Sequence, residues 1–439
     1  MEKYVITGGQ RLAGRVNIGG AKNAAVAILP AVILAGGVCT FENVPMIKDV
    51  TNILKILDYM GADIKPLSKT KIKIDPKNIK NIPVPYEMAR LLRASYYFLG
   101  ALLSKFGSAE VSLPGGCDLG DRPIDQHLKC FKALGADYVI QHGMVNVTTA
   151  NSQNCLLGSQ VYFDKVTVGA TINAMLAAVN AKGTTILENV AKEPHIVDLA
   201  NFLNSIGGDV RGAGTDVIKV IGKTEFKGVD YTIIPDQIEA GTYMAIAAAT
   251  KGDVEICGVI PKHLEPISSK LRRIGVTVEE FDDSVRVVAE EPTCRYERIN
   301  IKTMPHPGFP TDMQPQFASL LTLANGTSII TEDIFSNRFR YAEELRRMGA
   351  DISVSERTGV VQGVDKLTGA PVKAVDLRGG AALVIAALCA EGETEIEGIE
   401  HIERGYEEID EKLRALGAVI ERRVFPDKEE VAEKNIKVG

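Results

Sequence analysis

The 439-residue sequence has no tryptophan, no CxxC pair, no GxxxxGK[ST] loop and no excess of basic charge. Its 50 Lys and Arg stand against 56 Asp and Glu, a net charge of −6 that gives nucleic acid no general electrostatic footing. Without a phosphate loop, nucleoside-triphosphate hydrolysis lacks its cradle. The glycines punctuate repeats and do not form a dinucleotide fingerprint, so hydride transfer lacks support as well. No histidines stand at metal-ligand spacing, and neither a metal nor an organic cofactor is expected. Cysteines at 39, 117, 130, 155, 257, 294 and 389 are scattered and no secretory signal is recognisable, which together point to a reducing cytoplasm and at least one free thiol. The most apolar run, 24–35, is too short for a bilayer and contains Pro30, so it reads as a buried helix and no membrane insertion is expected.

What is present is a phrase written six times. Met60-Gly-Ala-Asp63, Leu134-Gly-Ala-Asp137, Ile206-Gly-Gly-Asp209, Ile274-Gly-Val-Thr277, Met348-Gly-Ala-Asp351 and Leu416-Gly-Ala-Val419 place glycines at 61, 135, 207, 275, 349 and 417. Their separations of 74, 72, 68, 74 and 68 are too regular for chance and too long for a solenoid. An amphipathic run precedes each phrase and alternating residues follow, which predicts a helix, its C′ glycine and a strand. Upstream, glycines at 37, 107, 183, 252, 326 and 392 each follow a small-residue apolar helix and open a short strand. Helices apolar all round belong inside a domain, so sheets are expected to surround them. A closing glycine-and-strand phrase is missing from the last unit but present at the N-terminus. The first strand is therefore expected to complete the sixth unit, giving one domain from 1–21 plus 236–439 and a second from 22–235, the latter carrying the Cys117 loop. The expected fold is α/β: two domains, each of three repeat units with sheets around buried helices. Residues after Phe425 are charge-rich and expected to be frayed or helical.

Charged residues that look out of place fall at buried-helix starts (Lys22-Asn23, Arg93, Lys165, Asp236-Gln237, Asp312, Arg378) and in post-strand loops (Cys117 with Arg122, Arg338, Arg404). Both kinds of position are expected to face a cleft. A cation at a helix N-terminus opposes the dipole, unless dipole, free amides and cation together bind phosphate or carboxylate. Each has an ordinary alternative: a loop Lys or Arg is usually solvated, and Asp312 after Pro310-Thr311 reads first as an N-cap or first-turn acid. Arg346-Arg347 reads as a solvated helix face and His306, between two prolines, as structural. Cys117 sits in Leu113-Pro-Gly-Gly-Cys-Asp-Leu-Gly-Asp-Arg-Pro123, whose Gly and Pro forbid a regular element. Its bland reading is an incidental thiol; Arg122 nearby favours a thiolate or an anion site.

The phrases Gly20-Ala-Lys-Asn-Ala-Ala25, Leu92-Arg-Ala-Ser95, Pro114-Gly-Gly-Cys117 with Arg122-Pro123, Lys165-Val-Thr-Val-Gly169, His306-Pro-Gly-Phe-Pro-Thr-Asp-Met-Gln314, Asn337-Arg-Phe339, Asp376-Leu-Arg378 and Arg404-Gly-Tyr406 resemble, in this order, the enolpyruvyl transferases that act on UDP-N-acetylglucosamine at the start of peptidoglycan synthesis. The resemblance covers essentially the whole chain and implies a two-domain inside-out α/β barrel, each domain three βαβαββ units around buried helices. It implies transfer of the enolpyruvyl group of phosphoenolpyruvate to the sugar's 3′-hydroxyl, with release of phosphate through a tetrahedral ketal. It further implies that Lys22, Asn23, Arg122 and Arg404 hold phosphoenolpyruvate, that Cys117 delivers a proton to C3 and is the target of fosfomycin, and that Asp312 takes the hydroxyl proton. Arg93, Arg122, Pro123, Ile124, Asp125, Gln126, Lys165, Val166, Thr167, Val168, Asp312 and Ile334 match nucleotide-sugar contacts, and Arg338 and Arg378 match cleft-lining positions. Asp118, Asp121 and Gln237 depart from the family's pattern, and so bear on the thiol's proton affinity, loop closure and a contact near the domain junction. Two alternatives stand beside this: the shikimate-pathway enolpyruvyl transferase, and a catalytically silent nucleotide-sugar-binding paralogue.

Overall fold

The computed structural model describes residues 2–113, 123–150, 155–289 and 296–425. Cys117, Asp118, Asp121, Arg122 and the charge-rich tail therefore lie outside the described residues. The chain separates into two compact units, one of Met1–Ile18, Gln237–Met304 and Gly308–Gly439, the other of Gly19–Asp236 and Pro305–Pro307. These boundaries differ from the 21/22 and 235/236 positions expected from the repeats, because the two chain crossings pair with each other. Ala21 N donates to Ile234 O at 2.7 Å and Asp236 N to Gly19 O at 2.9 Å. The 305–307 segment joins the second unit, where His306 N donates to Glu193 Oε1 at 3.4 Å.

Each unit is built around three apolar helices. In the 19–236 unit these are Lys22–Ala31, Tyr97–Phe106 and Val168–Ala178; in the other they are Gln237–Ala249, Gln314–Leu321 and Leu377–Cys389. From Ile238 to Ala249 every residue is buried, a helix surrounded on all sides by its own unit. The first of the six shortens as Pro30 dictates: lacking an N–H, proline ends the regular hydrogen bonding, and a 3₁₀ turn, Val32–Leu34, finishes the run. Close helix approach needs a missing side chain at Gly100, where a Cβ would meet Asn173 O and Oδ1 at 2.6 Å; the Gly100 amide instead donates to that Oδ1 at 2.8 Å.

Among the described residues, six sheets of three or four strands lie around these helices, with one further two-stranded pair. The four-stranded sheets are mixed and the three-stranded one, Ser108–Ser112, Met144–Thr149 and Ala136–Gln141, is antiparallel; they do not close into a continuous hydrogen-bonded barrel among the described residues, so the barrel is an arrangement of separate sheets. In the repeat containing Gly349 the order is Ile301–Lys302, Thr327–Thr331, Thr358–Gln362, Asp351–Ser355, the first pair parallel and the rest antiparallel. The sixth repeat keeps this order using the chain's beginning: Glu2–Thr7 lies between Glu393–Glu397 and Val419–Val424, antiparallel to both, with Tyr4 opposite Ile396 and Arg422. All six glycines of the repeated phrase adopt positive φ, from 85° at Gly135 to 115° at Gly207. Of the upstream set, Gly107, Gly183, Gly326 and Gly392 also do so. Gly252 is required for space instead, because a Cβ there would lie 2.4 Å from Leu12 O. Each unit buries its own continuous apolar core. No helix among the described residues is long and apolar enough to cross a membrane.

Candidate active site

In the 19–236 unit, Lys22 opens its helix with a cation where the dipole disfavours one. Two buried carboxylates compensate. Asp236 Oδ2 accepts from the Lys22 amide at 2.9 Å, and Asp49 Oδ2, on a side chain only 1% exposed, lies 3.0 Å from Nζ. Lys22 is thereby fixed in direction while its side chain stays 15% exposed. Asn23 follows it, half-buried.

A second group gathers around His127. Arg93 opens the 3₁₀ turn Arg93–Tyr96, and Asp125 the helix Asp125–Ala133. Gln126, buried, accepts from Asp164 N at 3.0 Å and donates to Asp164 Oδ2 at 3.2 Å and Asp125 Oδ2 at 2.8 Å. That clamp sets the Lys165–Thr167 loop. Lys165 and Val166 are exposed, and Thr167 caps the helix from Val168 by accepting from Ala170 N at 3.2 Å. Pro123 is exposed and Ile124 buried. His127 Nδ1 accepts from Asn173 Nδ2 at 2.8 Å, since the Asn173 oxygen is already committed to Gly100 N. The imidazole is thus neutral and carries its proton on Nε2. Burial, then the nearby Arg93 charge, push its pKa down to about 4, against a smaller opposing pull from Asp125. Gly169 leaves room for this ring: a Cβ there would sit 3.0 Å from Nε2.

In the other unit, Asp312 lies within the 3₁₀ turn Thr311–Met313 and is not the cap; the N-cap is Pro310 and makes no side-chain cap bond. Its Oδ1 accepts from Arg338 Nη2 at 3.0 Å, and its Oδ2 from Arg378 Nη2 at 3.1 Å and Nε at 3.3 Å. Both guanidinium groups are almost fully buried, with side chains 2% and 3% exposed, while Asp312 is 27% exposed. Arg338 sits over Phe335 and Arg378 over Tyr406, at 5.7 and 5.3 Å from the ring centroids. Arg378 is the second residue of its helix, whose N-cap Asp376 accepts from the Arg378 and Gly379 amides, each at 2.9 Å. Beneath lies a polar floor: Gln316 Nε2 donates to Asp312 O at 2.8 Å, and the Thr242 and Tyr406 hydroxyls meet at 2.9 Å. Arg404 is half-buried in the turn before Tyr406. Ile334 is half-buried, its amide donating to Glu332 Oε1 at 2.9 Å.

The fold brings together three of the expected site residues, Asp312, Arg338 and Arg378, while the sequence reading gave no site role to Glu332, Gln316 or Tyr406 around them, nor to Asp49 beside Lys22. A glutamine or asparagine inside an otherwise apolar helix, as at Gln316 and Asn173, was the available signal. No cluster able to hold a metal occurs among the described residues.

Known proteins share this architecture throughout. A family model described as EPSP synthase (3-phosphoshikimate 1-carboxyvinyltransferase) matches residues 6–413. UDP-N-acetylglucosamine 1-carboxyvinyltransferase 3 of Caldanaerobacter subterraneus subsp. tengcongensis is 56% identical over 422 residues, covering 96% of this chain and 99% of that protein. The chain belongs to the UDP-N-acetylglucosamine 1-carboxyvinyltransferase family. The Clostridium botulinum member is likewise 56% identical, over 96% of this chain and all of that one. Among solved structures, the enolpyruvyl transferase NikO from Streptomyces tendae has a TM-score of 0.87 at 26% identity, covering 97% of this chain and 99% of that one. EPSP synthase from Acinetobacter baumannii has a TM-score of 0.75 at 20% identity, over 97% of this chain and all of that one, which speaks for the fold alone. The 56% relatives of this carboxyvinyltransferase family member are named for a nucleotide-sugar acceptor, whereas the shikimate name comes from the family model and from a structure at 20% identity.

Proposed function

We propose that this chain transfers the enolpyruvyl group of phosphoenolpyruvate to the 3′-hydroxyl of UDP-N-acetylglucosamine and releases inorganic phosphate, in the cytoplasm, as the entry to peptidoglycan synthesis. The observation carrying this reading is the partly exposed Asp312 carboxylate held between the buried Arg338 and Arg378, in a chain 56% identical to carboxyvinyltransferases that act on this nucleotide sugar. Lys22, Arg122 and Arg404, with Asn23 beside them, bind the phosphate and carboxylate of phosphoenolpyruvate, where charge-assisted bonds are strongest. The sugar's O3′ forms a bond to C2 while Cys117 gives a proton to C3 and Asp312 takes the hydroxyl proton. To do so Asp312 exchanges one guanidinium bond for the substrate hydroxyl. The tetrahedral ketal then loses a proton from C3 and its C2–O bond to phosphate, which restores the double bond. Cations around the ketal stabilise the leaving phosphate. Arg93, Arg122–Gln126, Lys165–Val168 and Ile334 hold the nucleotide sugar, the diphosphate using free amides at the start of the Val168–Ala178 helix.

Phosphate release measured with UDP-N-acetylglucosamine and, separately, with shikimate 3-phosphate tests the proposal. Turnover with the former alone is expected. Turnover with shikimate 3-phosphate alone assigns the chain to the shikimate enzyme, and none with either leaves it a binding protein.

A further inference from the structure

Glu332 is a carboxylate with no exposed surface, set just after the strand Thr327–Thr331, and it lies outside every phrase that marks the chain's family. A buried acid needs donors to offset its lost hydration. Three converge on this one. Thr311 Oγ1 donates within 3.0 Å of both oxygens, while the amides of Ile334 and Phe335 donate to Oε1 at 2.9 and 3.1 Å. These donors belong to two segments that matter separately. Thr311 begins the turn that presents Asp312, and Phe335 is the ring on which Arg338, the partner of Asp312 Oδ1, rests. The same carboxylate thus fixes the base and the guanidinium shelf against each other, and sets the backbone of Ile334 at once.

We propose that Glu332 is a positioning residue for the transfer, holding the Asp312 turn and the Ile334–Phe335 backbone on one buried carboxylate so that Asp312 meets the acceptor hydroxyl. The inference rests on the function proposed above. Glu332 touches no substrate; it acts through Asp312 and Ile334. Its effect should fall on the acceptor and on the chemical step, with phosphoenolpyruvate binding by Lys22, Arg122 and Arg404 unchanged.

The test is steady-state phosphate release by Glu332→Leu, Glu332→Gln, Thr311→Val, Thr311→Ser and Asp312→Asn, with both KM values and the melting temperature of each. Glutamine keeps one carbonyl oxygen for the two amides and leaves an N–H for the Thr311 hydroxyl to accept, so Glu332→Gln should retain most activity. Glu332→Leu is expected to lose it or fail to fold; Thr311→Val cuts only one link and keeps the volume. Thr311→Val should lower kcat roughly tenfold or more, as a misplaced group does, and raise KM for UDP-N-acetylglucosamine several-fold. KM for phosphoenolpyruvate should not change, and Thr311→Ser should restore the parent values. Thr311→Val with parental kcat and KM, or a change confined to melting temperature, overturns the inference. Asp312→Asn separates the two failures. If it turns over like the parent, the base assignment falls and takes this inference with it. If it is inactive while Thr311→Val is unimpaired, only the role of Glu332 is refuted.

Discussion

Arg338 donates Nη2 to Oδ1 of Asp312 at 3.0 Å with only 2% of its own side chain exposed. Arg378, 3% exposed, takes the other oxygen. One carboxylate therefore bridges two buried cations, and its charge is what lets their guanidinium groups sit so close together away from water.

Removing Asp312 should accordingly be felt in stability as well as in turnover. Asp312→Ala leaves two guanidinium groups facing one another without their shared partner, expected to cost about 3 kcal/mol. Replacing Arg338 by Leu in the same chain should recover part of that loss without recovering activity. Urea unfolding of parent, single and double variants measures it. Equal stability of Asp312→Ala and the parent would show that the carboxylate is not what holds the charges together.

The thiol chemistry yields a second expectation. Burial pushes the Cys39 thiol up to about 11 and the Cys130 and Cys389 thiols to about 12, so near neutral pH these three are protonated and poor nucleophiles. Cys257 is shifted upward too, by burial and then by Glu255. Saturating fosfomycin, an epoxide phosphonate, should add once to the intact protein by mass spectrometry. Cys117→Ala should abolish the adduct and phosphate release, whereas Cys130→Ala should leave both in place. An adduct that survives Cys117→Ala would remove the acid from the mechanism.

Two buried groups of the 19–236 unit titrate in opposite senses. His127 is held down at about 4 from 6.5, so the folded unit binds fewer protons than the unfolded chain between those values; this stability is complete above pH 6.5 and drains away as pH falls towards 4. Asp198 is pushed up from 3.8 to about 6 by burial, against the smaller downward pull of Tyr231 Oη, which donates to its Oδ1 at 2.5 Å, and of the Ile234 amide. Its contribution is complete below pH 3.8 and disappears as pH rises through 6. Between pH 4 and 6 the slopes partly cancel. His127→Gln, which keeps an acceptor for Asn173, should expose the falling slope: its stability relative to the parent should improve as pH drops. Asp198→Asn should do the reverse. Unfolding midpoints at pH 4.5, 5.5 and 6.5 decide, and parallel profiles for all three proteins would contradict the assignment.

The fold was readable where a residue's own conformation announces it. Gly61 through Gly417 recur because each ends a helix in a conformation that side chains disfavour, and a requirement of that kind leaves its mark at one position. Apolar helices were readable for the same reason, as burial on all sides permits only small and apolar residues. Pairings across the chain left no such mark. Nothing at Glu2–Thr7 names its neighbours near 395 and 422, except that the last repeat is one phrase short. At the site, Asp312 could be singled out but not its grip on arginines 26 and 66 residues away. Glu332 reads locally as an ordinary strand-end acid, because its significance lies in tying the backbone just after it to Thr311, 21 residues upstream.

The glycines themselves supply the last test, because two different needs predict two different costs. Gly135, at φ 85°, has nothing within 4 Å of the place a Cβ would take, so Gly135→Ala pays only for the left-handed backbone, about 1–2 kcal/mol. Asparagine, which tolerates that region, should cost less there than alanine. Gly222 has no such backbone demand, yet a Cβ would lie 1.6 Å from Ala181 O, so Gly222→Ala must push two backbone segments apart. Its cost should exceed that of Gly135→Ala, and asparagine should be worse than alanine. Melting temperatures of the four variants distinguish the cases: the order of alanine and asparagine should invert between the two sites, and the same order at both would mean that steric room, not backbone conformation, sets the repeated glycines.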